Sequence, residues 1–127
     1  MSRKKDPDAI HKSGTAAGLE ENFKKAVSEM LLLSLLNEKE MYVGEITGAM
    51  EKRSGGAYMI SYPYAIIYRM SKLNYICEVD RRNADDGRLR QFYGITDAGR
   101  KYLGELMETY SKMIGCVESI TSPKKNG

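Results

Sequence analysis

At 127 residues, with 20 lysines and arginines against 17 aspartates and glutamates, the chain is long enough for one hydrophobic core and too short for a comfortable second. A formal net charge of +3 does not announce a nucleic-acid partner, so any such case rests on where the cations sit. No apolar run approaches the roughly 20 residues that cross a bilayer, the charged start Met1-Ser2-Arg3-Lys4-Lys5-Asp6 carries no leader pattern, and Cys77, Cys116 and His11 are too few and too scattered for a zinc site or a disulfide framework; a cytoplasmic protein with no metal, no cofactor and no membrane partner is expected.

Residues 1–21 mix basic, small and turn-forming types without periodicity and read as a flexible arm, whose Arg3-Lys4-Lys5 cluster reads first as a solvated tail and second as a phosphate contact. Asn22 to Leu36 reads as a helix that is apolar on nearly all sides from Met30 onward, and therefore buried between this domain and something else. Met41 to about Arg53 is a second helix with Val43, Ile46, Ala49 and Met50 on its inward stripe, ended by Ser54-Gly55-Gly56. A short strand or turn is expected over 57–60. The next helix starts at a Ser61 or Tyr62 cap with Pro63 in its first turn, where a missing amide hydrogen does no harm. Its spacing sends Ile66, Ile67, Met70 and Leu73 inward, while Tyr64, Tyr68 and Lys72, with Ala65 and Arg69 beside them, form an outward face that is aromatic and basic and holds no acid. Asn74 tolerates the left-handed geometry needed to leave the helix.

Tyr75 to Asp80 is strand-like, Asn83-Ala84-Asp85-Asp86-Gly87 is a turn signal, and Arg88 onward returns as a second strand, so Arg81, Arg82, Arg88 and Arg90 flank the tip of a hairpin. Guanidinium groups on a projecting hairpin can meet phosphates or enter a minor groove. Thr96 is a natural N-cap, Asp97 complements the helix dipole, and Gly99 permits a close approach. From there Gly99, Leu103, Leu106, Tyr110, Met113, Val117 and Ile120 alternate by four and three, a seam on a helix of roughly 35 Å at 1.5 Å per residue. So small a domain cannot cover its whole length. The fold class expected is mainly α with a small β-hairpin: a winged helix-turn-helix over residues 22–95, a dimerisation helix over 96–121 and a tail over 122–127.

Four segments in chain order resemble the PadR family of bacterial winged-helix transcriptional regulators: Glu29 to Leu36, Met41-Tyr42-Val43-Gly44-Glu45-Ile46, Tyr64 to Ile76, and Arg90-Gln91-Phe92-Tyr93-Gly94-Ile95-Thr96-Asp97-Ala98-Gly99. The last segment carries the most specific likeness. Tyr42 and Glu45 match the family's second motif, whose second tyrosine is absent here; Ala65 stands where a proline often follows the family tyrosine, and Asn74 where glycine is usual. The resemblance implies a transcriptional regulator, more often a repressor; the seam of the last helix makes it a homodimer, and a two-fold dimer calls for an inverted-repeat operator in double-stranded DNA.

An enzyme is excluded on inventory: there is no phosphate-cradling glycine motif, no nucleophile elbow, and the acids are scattered. The DNA-contacting set expected is Tyr64, Ala65, Tyr68, Arg69 and Lys72 toward the major groove, Ser61 and Tyr62 near phosphates, Arg81, Arg82, Arg88 and Arg90 on the wing, and Tyr42 near the backbone. The dimer interface expected is Met30, Leu33, Leu103, Leu106, Tyr110, Met113, Val117 and Ile120. Two alternatives stay open. One is a winged-helix module that binds a protein partner; the other is a sensor whose subunits enclose a small apolar or aromatic effector against Met30, Leu33, Met107, Tyr110 and Met113.

Overall fold

The computed structural model describes residues 13–123; Arg3-Lys4-Lys5 and His11 lie outside them. Helix α1 (Ala16–Glu38) begins six residues before the expected Asn22, because the Thr15 hydroxyl caps it by accepting from Gly18 N at 3.0 Å. Its leucine run gives the fold its centre. Leu32, Leu33, Leu35 and Leu36 are buried, and since each buried leucine is worth about 1.5–3 kcal/mol, these four decide which way the helix faces. α1 packs against every other helix.

Past α1 the chain makes one strand-like contact before turning helical again: Met41 and Tyr93 exchange backbone hydrogen bonds at 3.1 and 2.9 Å. Helix α2 (Val43–Arg53) follows. Its Glu45 carboxylate accepts from Tyr42 N at 3.3 Å, and Ile46 and Met50 point into the core. Gly55 and Gly56, at φ 64° and 86°, stop it as their sequence suggests. No strand forms over 57–60. Instead Tyr58 reaches back to α1, its hydroxyl sharing a hydrogen bond with buried Ser28 Oγ at 2.6 Å and donating to Lys24 O at 3.1 Å.

Helix α3 (Pro63–Lys72) buries Ile66, Ile67 and Met70. Leu73, expected inward, is the C-cap and stands 54% exposed, because the chain has already left the helical period there. Asn74 at φ 64° makes the left-handed exit. Strands β1 (Ile76–Asn83) and β2 (Leu89–Ile95) form an antiparallel hairpin, in register from Ile76 opposite Ile95 to Asn83 opposite Leu89, with a bulge between Glu78 and Arg81. Gly87 at φ 81° closes the tip. Arg81 and Arg82 thus lie within β1, since the strand runs three residues beyond the expected Asp80.

Helix α4 (Asp97–Thr121) is docked at its base. Thr96 Oγ1 accepts from Gly99 N at 2.9 Å and donates to Asn74 O at 2.7 Å, and Thr96 N donates to Tyr75 O at 3.0 Å. Gly99 faces that same Tyr75 carbonyl so closely that a Cβ would overlap its oxygen and crowd Ile95 Cγ1 at 2.8 Å. Burial then fades along the seam: Leu103 is 5% exposed, Tyr110 39%, Met113 52%, Val117 53% and Ile120 82%. Leu33 and Leu103, expected at a subunit interface, are instead packed in this chain's own core. A stripe of apolar residues records burial without saying whether the partner is the same chain or another.

Gly99→Ala should cost about 1–3 kcal/mol through overpacking, outweighing the ~1 kcal/mol that alanine gains over glycine in a helix. Gly104→Ala, with open space around the added Cβ, should stabilise by about 0.5–1 kcal/mol. Urea unfolding of the two variants checks the close approach, and equal midpoints would refute it.

Candidate nucleic-acid interface

The outward face of α3 is built from tyrosines. Tyr62, Tyr64 and Tyr68 are 81%, 67% and 65% exposed, and Ser61, Ala65 and Lys72 are exposed beside them. Lys72 Nζ rests 5.7 Å from the Tyr68 ring centroid, which steers its charge along the helix surface. Tyr62 holds left-handed geometry, φ 56° and ψ 56°, whereas a following proline ordinarily steers a residue to extended backbone.

The wing divides its arginines. Arg81 and Arg88 are exposed, and no ion pair involves their side chains among the described residues. Arg82 is engaged by Glu40 and by Asp80 at 2.9 Å, and its guanidinium lies 4.0 Å over the Phe92 ring. Arg90 donates to Asp86 at 2.6 Å and faces the Tyr42 ring at 5.6 Å, with Tyr42 itself edge-on to Phe92 at 5.4 Å. The Arg90 hydrogen bond, helped by the Arg88 backbone N–H at 3.0 Å, holds the Asp86 carboxyl below the usual aspartate range. Arg82 and Arg90 therefore brace the hairpin on the body of the domain, while Arg81 and Arg88 stay open to a polyanion.

Arg69 is also engaged. No acid lies on α3, as the sequence indicates, yet Glu29 of α1 reaches it, with Arg69 Nη2 donating to Glu29 Oε2 at 3.2 Å. The other carboxylate oxygen accepts from Tyr102 OH of α4 at 2.7 Å. Glu29, Glu40, Asp80, Asp86 and Tyr102 were absent from the expected site. Glu29, which meets Arg69, and Glu40, which meets Arg82, stand 40 and 42 positions away in sequence, beyond the reach of local pattern.

Between them, α1 and α4 leave an apolar cleft of about 350 Å³ lined by Phe23, Met30, Leu106, Tyr110, Met113 and Val117. A second hollow of about 490 Å³ continues it past Leu31, Ala49 and Tyr58. Phe23 and Tyr110 meet edge to face at 6.5 Å across the cleft. Among the described residues no His, Cys, Asp or Glu cluster could hold a metal ion, no helix is long and apolar enough to cross a membrane, and Cys77 and Cys116 are free.

A family pattern described as the transcriptional regulator PadR-like family matches residues 32–105. An uncharacterized protein of Lysinibacillus sphaericus is 30% identical over 87 residues, which span 67% of this chain and 79% of that protein. Among solved structures, a PadR family transcriptional regulator from Eggerthella lenta superposes with a TM-score of 0.73 at 16% identity, covering 85% of this chain and 93% of the other. A transcriptional regulator from Clostridium thermocellum gives 0.69 at 22% identity, covering 80% and 99%. At these identities the structural likeness speaks to the winged-helix fold alone.

The Asp86 pair sets a pH dependence with a definite sign. A carboxyl held low in the folded state contributes stability above its unfolded value and loses it as pH falls through the lowered one, so the hairpin tip should loosen only in acid below the ordinary aspartate range. Carboxyl-detected NMR titration should place the Asp86 midpoint below about 3.9 in the parent and move it upward in Arg90→Gln, with the Arg88 amide holding back part of the rise. Identical midpoints would mean that the pair does not form.

Proposed function

Because the chain belongs to the PadR-like family of transcriptional regulators, whose members are regulators and not enzymes, we propose that it is a homodimeric, sequence-specific DNA-binding repressor of the cytoplasm. The observation that carries this reading is the exposed face of α3, aromatic and basic, standing beside a hairpin that keeps Arg81 and Arg88 unpaired. α3 is of a size to enter the major groove of B-DNA, with Tyr64, Ala65, Tyr68, Arg69 and Lys72 toward base edges and Ser61, Tyr62 and Tyr42 toward the backbone. The wing contributes Arg81 and Arg88 to phosphates or the minor groove, and Arg82 and Arg90 hold it in place.

Dimerisation is proposed through the distal half of α4. Tyr110, Met113, Val117 and Ile120 form an apolar stripe left open by the protomer, continued by half-buried Leu106 and Met30. A two-fold axis at this stripe would carry two winged domains at its ends, which calls for an inverted-repeat operator. A second reading, in which the dimer also senses a small apolar or aromatic effector, is favoured by the cleft between α1 and α4, whose methionines and tyrosine adapt readily to shape. Met107, 52% exposed on the same helix, is not part of the cleft lining.

Footprinting on duplexes selected by the protein from a randomised pool should reveal a two-fold symmetric site. Replacing Arg81 and Arg88 by alanine should weaken all duplexes alike and flatten the log–log salt dependence by about one unit for each phosphate that is no longer neutralised, whereas Arg82→Ala should leave the slope nearly unchanged. Met113→Asp with Val117→Asp, at positions exposed in the protomer, should halve the mass seen by light scattering without unfolding the chain. Weak duplex binding that is indifferent to salt would instead identify a protein-interaction module.

A further inference from the structure

Glu29 stands where α1, α3 and α4 meet. One carboxylate oxygen accepts from Tyr102 OH at 2.7 Å and the other from Arg69 Nη2 at 3.2 Å. The Tyr102 ring is stacked on Tyr75 at 4.4 Å with 15° between planes, so the phenol that grips Glu29 is itself fixed. Burial, then the hydrogen bond and charge of Glu29, push the Tyr102 phenol up to about 12, which keeps it a donor at any physiological pH. The carboxylate is thereby held at one end and engages one edge of the Arg69 guanidinium at the other. Arg69 is half exposed, and an ion pair of that exposure is worth little as stability. Its consequence is orientation. A guanidinium reads guanine through two parallel donors and needs a set plane to do so, while an unrestrained one is drawn to whichever phosphate is nearest.

We propose that Glu29 is a positioning residue for DNA discrimination: anchored by Tyr102, it holds one edge of Arg69 so that the other faces base edges, and it withholds that charge from phosphates. The inference rests on reading α3 as the recognition helix. It also makes α4, the helix proposed to join the subunits, a contributor to base reading through a single hydrogen bond.

The test uses the full chain, a duplex it selects from a randomised pool, and a scrambled duplex of the same composition. Glu29→Gln keeps an acceptor for Tyr102 but removes the charge that holds Arg69. It should bind scrambled DNA more tightly, steepen the salt dependence by about one unit per protomer, and lower selected-over-scrambled discrimination by about tenfold, the scale of one bidentate base contact. Tyr102→Phe keeps both the ring stack and the Glu29 charge. It should lower discrimination with no change in salt slope, a split that general loosening of the fold would not produce. In an Arg69→Ala background both effects should vanish. Parent-like discrimination and slope in Glu29→Gln would overturn the inference while leaving α3 as the reading helix, and so would effects that persist without Arg69. A parent that binds neither duplex would overturn the recognition reading itself, and the positioning role with it.

Discussion

The Tyr75 carbonyl is the point on which the geometry of this protein turns. It accepts the Thr96 N–H at 3.0 Å, and it lies so near Gly99 that no side chain fits between them. Asn74, one residue earlier, makes the left-handed exit from α3 and gives its own carbonyl to the Thr96 hydroxyl. The end of α3, the start of the hairpin and the first turn of α4 are therefore tied together through Asn74, Tyr75, Thr96 and Gly99. Such groups cannot drift apart without leaving polar atoms unpaired. The direction of α4 and the attitude of α3 are consequently one property.

Upon that joint the charges are distributed selectively. Net charge alone distinguishes little here, because acids from other positions occupy Arg69, Arg82 and Arg90 among the arginines that sequence assigns to DNA. Glu29 engages Arg69, Glu40 and Asp80 engage Arg82, and Asp86 engages Arg90. All are exposed enough that their contribution to stability is small, but each limits where a guanidinium can point. Of the cations that sequence assigns to DNA, those without an ion pair among the described residues, Arg81 and Arg88 on the hairpin and Lys72 along Tyr68, are spread over two elements. A surface of this kind suits a partner whose charges recur at intervals better than one with a single anionic group.

The features that sequence alone reveals are those decided within one turn of chain. Pro63 starts α3, Gly55 and Gly56 stop α2, Asn74 leaves α3 and Thr96 caps α4 because each works through its own backbone or a neighbour three residues away. The inward stripe of Ile46 and Met50 follows from period in the same way. Other features needed the fold. The seam of α4 is continuous in sequence, yet Leu103 is core and Ile120 is bare, since periodicity names a face and not its occupant. Leu33 is buried by the chain's own elements for the same reason. Thr15 caps α1 among small and glycine-rich neighbours whose composition resembles an arm, and the partners of Arg69 and Arg82 come from elements distant in sequence.

If the joint at Tyr75 and Gly99 makes each winged domain rigid with its α4, and the two α4 helices form the proposed dimer, the separation of the two α3 helices is fixed. Both can then reach the major groove on one face of B-DNA only near one helical turn apart, about 34 Å, or a multiple of it. Titration against operator variants with about five base pairs, half a turn, inserted between the half-sites measures this most directly. Affinity should fall nearly to that of a single half-site, and a full-turn insertion should recover part of it if the DNA can bend to meet the dimer. Equal affinity for the parent operator and the half-turn insertion would mean that the subunits bind independently, and would contradict the rigid-dimer account.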